Sequence, residues 1–185
     1  FFKDKFDDPM TYATVVRCTN IPTESILFNI DIEGPINKDK TAVLRVFTKV
    51  FYNHLGFYGE DLKIAKLERF VDNQGKTEAF STAFEDINGA SWLETRSSYA
   101  FFEDDIVSVL QSVLGMSETA ARNWFNGEEN GDMSIKQLVE EIKAYVDGKG
   151  KDFRLLFCVD EVGQYIGDDG DLMINLQSIV EELGS

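Results

Sequence analysis

Two short apolar runs constrain what this chain can fold into. The first, Ile26-Leu27-Phe28-Asn29-Ile30-Asp31, is flanked by turn formers and broken by Gly34-Pro35. The second, Leu155 to Val159, runs straight into the adjacent acids Asp160 and Glu161. Runs of apolar residues, rather than apolar–polar alternation, predict strands covered on both faces. Each is followed by a stretch with helical period. After the first come Val43, Val46, Phe47, Val50, Phe51 and His54, closed by Gly56. After the second come Leu172, Met173, Leu176, Ile179, Val180 and Leu183, stopped by Gly184. Strand then helix, twice, predicts an α/β chain whose parallel sheet is covered by helices.

Between these units lie roughly a hundred residues with no convincing strand. The periodicity predicts helices over 60–72, 77–87, 103–114, 117–125 and 134–146, the last capped by Ser134 with Gln137. Another helix is expected over 8–18, opened by Asp8-Pro9. The chain is therefore mostly α by content. It divides into a first strand–helix part (1–56), a helical insertion with its own small core (57–150), and a second strand with its following helix (151–185). Phe80, Phe84, Trp92, Phe101, Phe102, Trp124 and Phe125 crowd the insertion. Packing in its core is the stronger reading for them, and a partner surface the weaker.

Acids outnumber bases by 33 to 18, a net charge of −15. That opposes direct contact with phosphate backbones, which needs clustered Lys and Arg. No apolar run approaches the ~18 residues needed to cross a bilayer. No secretory leader is visible, although a chain that begins with Phe1 rather than Met is expected to be an excised piece, so this says little of a parent. Cys18 and Cys158 have no metal-ligand spacing; Cys158, inside the apolar run, is expected to pack as a small hydrophobe. Two unpatterned cysteines suit a reducing cytoplasm.

The acids at 160–161 are the main candidate for chemistry. In P-loop enzymes a buried strand holds an Asp beside magnesium, and a neighbouring acid can orient the attacking water. The acids must stand at the strand's carboxyl end, where the crevice of a parallel sheet opens. A strand that simply ends in solvated acids reads the same way, and the motif alone leaves both open. Asp31 ends the first run as Asp160 ends the second, so parallel neighbours bring both to one edge of the sheet. The partner element, G-x-x-x-x-G-K-[ST], is not in the sequence. Gly148-Lys149-Gly150-Lys151 has the wrong spacing and precedes a strand instead of opening a helix.

Two further candidates have plainer explanations. Asn126 to Gln137 resembles a calcium loop, with Asn126, Glu128 and Asn130 at its first, third and fifth places and Gly131 at the sixth. Its twelfth place holds Gln137 where a bidentate Glu is wanted, so an ordinary polar turn is the stronger reading. His54, the lone histidine, lies on a helix's apolar stripe, which favours a packed structural role over a catalytic base.

The string RLLFCVDEVGQYIGDDGDLMINLQSIVEELG, together with ILFNID, AVLRVFTKVF, SWLETRSSY and LGMSETAARNWF in that order, resembles the large P-loop protein of bacterial BREX phage-defence systems (the BrxC/PglY family). DEVGQ and the amphipathic helix after it are its most specific part. The resemblance implies an AAA-like P-loop ATPase, several times longer than this chain, that uses ATP and magnesium in antiviral defence. It implies cytoplasmic BREX partners, and phage or host DNA reached through the parent complex.

By position, Asp160 looks like the Walker B magnesium residue and Glu161 like the hydrolytic glutamate. Gln164 belongs to the same string without an evident role. The family's phosphate loop would precede Phe1 and its sensor strand would follow Ser185. This chain would then hold half a nucleotide site, be inactive alone, bind neither ATP nor magnesium tightly, and expose apolar sheet edges that favour self-association. The alternative is a non-catalytic interaction module acting through its helical insertion.

Overall fold

The computed structural model describes residues 5–127 and 131–184. They form two compact units, one made of the segments up to Gly34 and from Ile135 onward, the other of Pro35–Ser134. These divisions fall after 34 and 134, where the sequence suggested 56 and 150. The helix over 42–54 therefore groups with the helical segment, and the helix over 135–149 with the strands.

The first unit carries the sheet. Helix α1 (Pro9–Thr19) opens as Asp8-Pro9 predicts: the Asp8 carboxylate accepts from Met10 N at 3.3 Å and Thr11 N at 2.8 Å. Strand β1 (Thr23–Asn29) pairs in parallel with β2 (Arg154–Asp160), in the register Ile26 to Phe157, Phe28 to Val159 and Asn29 to Asp160. The short helix α2 (Ile30–Glu33) follows β1 directly. Its start is fixed by the Asn29 side chain, which accepts from Asp31 N and Ile32 N. After the other segment come α9 (Ile135–Lys149), then β2, α10 (Val162–Ile166) and α11 (Gly170–Gly184). Helices α9 and α11 pack together, as do α10 and α2. Ile30, Leu138, Val139, Ile142, Tyr165, Ile166, Leu172 and Ile179 are buried.

The strands differ from expectation in one respect. Exposure alternates along β2, and Leu156, Cys158 and Asp160 are exposed. In β1 Ile26 and Phe28 are buried while Leu27 is 78% exposed. One face of the parallel pair is thus covered and the other open, because this chain supplies helices for only one side. Cys158 lies on the open face and is not packed as a core hydrophobe. Met173 and Val180 of α11, read as part of its buried stripe, are exposed as well; Leu172 and Ile179 make the covered face.

Contacts between segments far apart in the chain tie this unit together. Glu24 of β1 accepts from Tyr145 Oη at 2.6 Å and from Lys149 Nζ at 3.0 Å, which joins α9 to the first strand. Lys149 Nζ also stands 4.9 Å from the Tyr145 ring centre, and Tyr145 meets Phe153 edge-to-face. Gly34 ends α2 where only hydrogen fits: a methyl group there would come 2.5 Å from Tyr165 Cε2 and 2.8 Å from Ile30 O.

The second unit is helical: α3 (Ala42–His54), α4 (Leu62–Asn73), α5 (Thr77–Asn88), the short α6 (Trp92–Thr95) with a 3₁₀ turn after it, α7 (Glu103–Leu114) and α8 (Glu118–Asn126). Burial in α3 extends beyond the predicted stripe to Leu44, Thr48 and Tyr52, so this helix is covered on most of its circumference. The buried Thr48 hydroxyl donates to Leu44 O at 2.8 Å, which spares it an unpaired polar group. Ile64, Leu67, Val71, Phe80, Phe84, Trp92, Ile106, Val107, Val109, Leu110 and Ala121 form one core cluster. Trp92 meets both Phe80 and Phe84 edge-to-face, at 5.3 and 5.1 Å between centroids.

A single carboxylate organises the polar side of that core. Glu68 accepts from Trp92 Nε1 at 2.7 Å, Tyr58 N at 2.6 Å and Arg96 NH1 at 3.1 Å. Asp61 caps α4 and accepts from Tyr99 Oη at 3.1 Å. Of the aromatics singled out in the sequence, Phe80, Phe84 and Trp92 are buried, Phe102, Trp124 and Phe125 pack against the cluster, and Phe101 is 86% exposed. Core packing accounts for all but that last one.

Candidate functional site

The carboxyl ends of β1 and β2 bring the candidate residues of the first unit together. Asp160 closes β2 in register with Asn29, the last residue of β1. Asp31 lies two residues beyond the end of β1, within α2 instead of at the strand's end. It still meets the second strand's continuation: Gln164 Nε2 of α10 donates to Asp31 Oδ2 at 3.4 Å. Gln164, without an evident role in the sequence, joins the two segments that leave the sheet. No pattern in the sequence signals that bond, because its partners stand far apart in the chain.

Glu161 carries the most unusual backbone of the site. Its φ of 59° and ψ of 25° place it in the left-handed region, alone in this respect among the described residues other than glycine. A side chain in that conformation costs on the order of 1 kcal/mol, which glycine would avoid. The turn is held from both sides. Glu161 N donates to Asp160 Oδ1 at 2.9 Å, and Glu161 O accepts from Tyr165 N at 2.9 Å in the first turn of α10. Tyr165 and Ile166 are buried beneath that helix, while Asp160 and Glu161 are exposed.

What this arrangement can hold follows from its donors. No group of three or more His, Cys, Asp or Glu side chains gathers as a metal site among the described residues. Magnesium is commonly held through one or two carboxylates, with phosphate oxygens and water completing its octahedron. Asp160 fits such a shared site and does not suit an all-protein one. Lys149, the nearest lysine to a phosphate-loop pattern, is engaged with Glu24 and Tyr145 and stands before β2.

The other candidates stay apart. His54 is half-buried at the end of α3, as its structural reading requires. In the calcium-like loop, Glu128 and Asn130 lie outside the described residues. Asn126 ends α8, Gly131 and Gln137 are exposed, and Lys66 Nζ donates to Asp132 O at 2.6 Å. The acid run Glu103-Asp104-Asp105 occupies the first turn of α7, where acids favour a helix. It borders a surface cavity of about 470 Å³ together with Arg122, which pairs with Asp104 at 2.9 Å and Glu118 at 3.0 Å.

No protein-family model and no solved structure matches this chain. Among the described residues, no helix is long and apolar enough to cross a membrane.

Proposed function

We propose that this chain is the Walker B segment of an AAA-like P-loop ATPase belonging to a bacterial BREX phage-defence system. The observation that carries the reading is the pair Asp160–Glu161: two exposed acids at the carboxyl end of a strand with a parallel neighbour, the second in a left-handed turn that opens a helix. In open α/β sheets this end of the strands is where ligands bind. A left-handed glutamate supports the reading too, because such strain persists where the surroundings over-determine it and clusters at functional sites.

In the complete site, Asp160 would contribute the protein's carboxylate to a magnesium ion. Magnesium, when bound, neutralises phosphate charge. Glu161, free of side-chain hydrogen bonds among the described residues, would orient the attacking water and take its proton. Gln164, through Asp31, would keep the start of α10 and the Glu161 turn in place. The phosphate cradle would come from a segment outside this sequence, so the chain alone would neither bind ATP tightly nor turn it over. The parent would act in the bacterial cytoplasm, with other BREX proteins and with phage or host DNA reached through their complex.

Phosphate release by the full-length parent tests this. Glu161→Gln should lower magnesium-dependent turnover by at least about 10²-fold while nucleotide binding persists. The 185-residue chain should show only background. Unchanged turnover in the parent variant would overturn the assignment of Glu161. Robust magnesium-dependent hydrolysis by the short chain would overturn the incomplete site. The rival reading, an interaction module built on the helical segment, has most of the segment's aromatics in its core; among the described residues of 35–134, Ile36, Ile87, Leu93 and Phe101 are the exposed large apolar ones.

A further inference from the structure

The open face of the parallel pair has an ordered composition. Parallel register places Thr23 beside Arg154, Ser25 beside Leu156, Leu27 beside Cys158, and Asn29 beside Asp160. Side chains alternate along a strand, so these residues share one face. Leu27 is 78% and Leu156 49% exposed, and Cys158 is exposed between them. A bare apolar centre on a two-stranded sheet calls for a cover, since such a pair is marginal in water by itself.

Charge identifies what fits over it. Arg154 and Asp160 stand at opposite ends of β2 on this same face, both exposed. Arg154 makes no ion pair or side-chain hydrogen bond among the described residues, in a chain with 33 acids and 18 bases. The two charges lie roughly 20 Å apart at about 3.3 Å per residue, with Leu156 and Cys158 midway. The pattern is therefore self-complementary. Turn a second copy over about an axis that lies between the faces, perpendicular to the strands and level with residue 157. Its Asp160 then comes to Arg154, its Arg154 to Asp160, and Leu156 of each copy faces Cys158 of the other. Face-to-face sheets pack about 10 Å apart with strands nearly aligned, which this operation satisfies.

We infer that the open sheet face is a self-association surface, on which two copies of the chain stack β2 over β2 with two reciprocal Arg154–Asp160 pairs around an apolar centre. The interface is isologous, as in most homodimers. A face two strands wide is small, so the dimer is weak, with a dissociation constant on the order of 10 µM to 1 mM. This inference does not need the ATPase reading, but it shares Asp160 with it: a carboxylate held in the dimer pair is not available to magnesium.

Sedimentation of the 185-residue chain at moderate salt, across roughly this concentration range, tests it. The native sequence should pass from monomer to dimer. Arg154→Asp and Asp160→Arg should each weaken the dimer about tenfold, since each replaces attraction by repulsion at both ends. The double variant Arg154→Asp/Asp160→Arg should recover to within about threefold of native, because the exchanged charges meet again across the axis. Leu156→Glu should abolish association. Circular dichroism checks that each variant is folded, and all three substituted positions are exposed. A chain that stays monomeric overturns the proposal. So does a double variant no better than the singles, or association that survives Leu156→Glu, the result expected of edge-to-edge strand pairing.

Discussion

The two units bury their polar groups in opposite ways. In 35–134 a carboxylate sits inside: Glu68 gathers an indole, a backbone N–H and a guanidinium at the edge of an aromatic core. In the sheet-bearing unit the acids stand outside, at the strand ends, and large apolar side chains stand outside with them. The first arrangement spends its charges on fixing a core. The second leaves both charge and apolar surface facing outward, which is what binding requires and what independent stability does not.

Substitutions can break this contrast, and the largest effect is expected in the helical unit. Trp92→Ala removes the indole between Phe80 and Phe84 and takes away a donor to Glu68; denaturant unfolding should show a loss of about 3–5 kcal/mol. Gly34→Ala probes the covered side of the other unit. The added methyl meets Tyr165 and Ile30 O, and the same measurement should show a loss of about 1–3 kcal/mol. Glu161→Gly should go the other way, raising stability by about 1 kcal/mol as it relieves the left-handed turn. A loss there would mean the turn is not strained. Leu27→Ser on the open face should change monomer stability by no more than about 0.5 kcal/mol.

The smallest effect concerns pH. Burial, and then the charge and hydrogen bond of Asp61, push the Tyr99 phenol up to about 12. Protons are then held more tightly in the folded state than in an unfolded chain, where tyrosine titrates near 10. Stability from this pair is complete below about pH 10 and is lost as pH rises from 10 toward 12. Burial and the Glu24 hydrogen bond also raise the Tyr145 phenol, so ultraviolet titration of native and Tyr99→Phe protein should differ by the loss of one late-ionising phenol.

Much of this was legible in the sequence, and the reasons are local. Asp8-Pro9, the Gly56 stop and the three- and four-residue apolar steps each act within a turn or two, and they place the longer helices to within a few residues, while the short α2, α6 and α10 went unread. The strands were readable as apolar runs. What those runs could not report is which side would be covered, since that depends on helices contributed from elsewhere. Leu27, Leu156, Cys158 and Met173 were misjudged for that one reason. At the candidate site, Asp160 and Glu161 stood out by position. The left-handed backbone of Glu161 and the Gln164–Asp31 bond did not, because the first goes against residue preference and the second is a tertiary contact.

The register of the strands also governs how this chain comes together in time. Every rung of the ladder joins residues about 130 positions apart, as Thr23 to Arg154 does, so the sheet is a late event on loop-closure grounds. The contacts of 35–134 are closer in sequence and can form first, which replaces a long floppy tether by a compact body. Until β2 arrives, β1 waits with Ile26 and Phe28, both buried in the finished fold, unprotected. For this chain, a slow step at residue 154 is a period of exposure at residue 28.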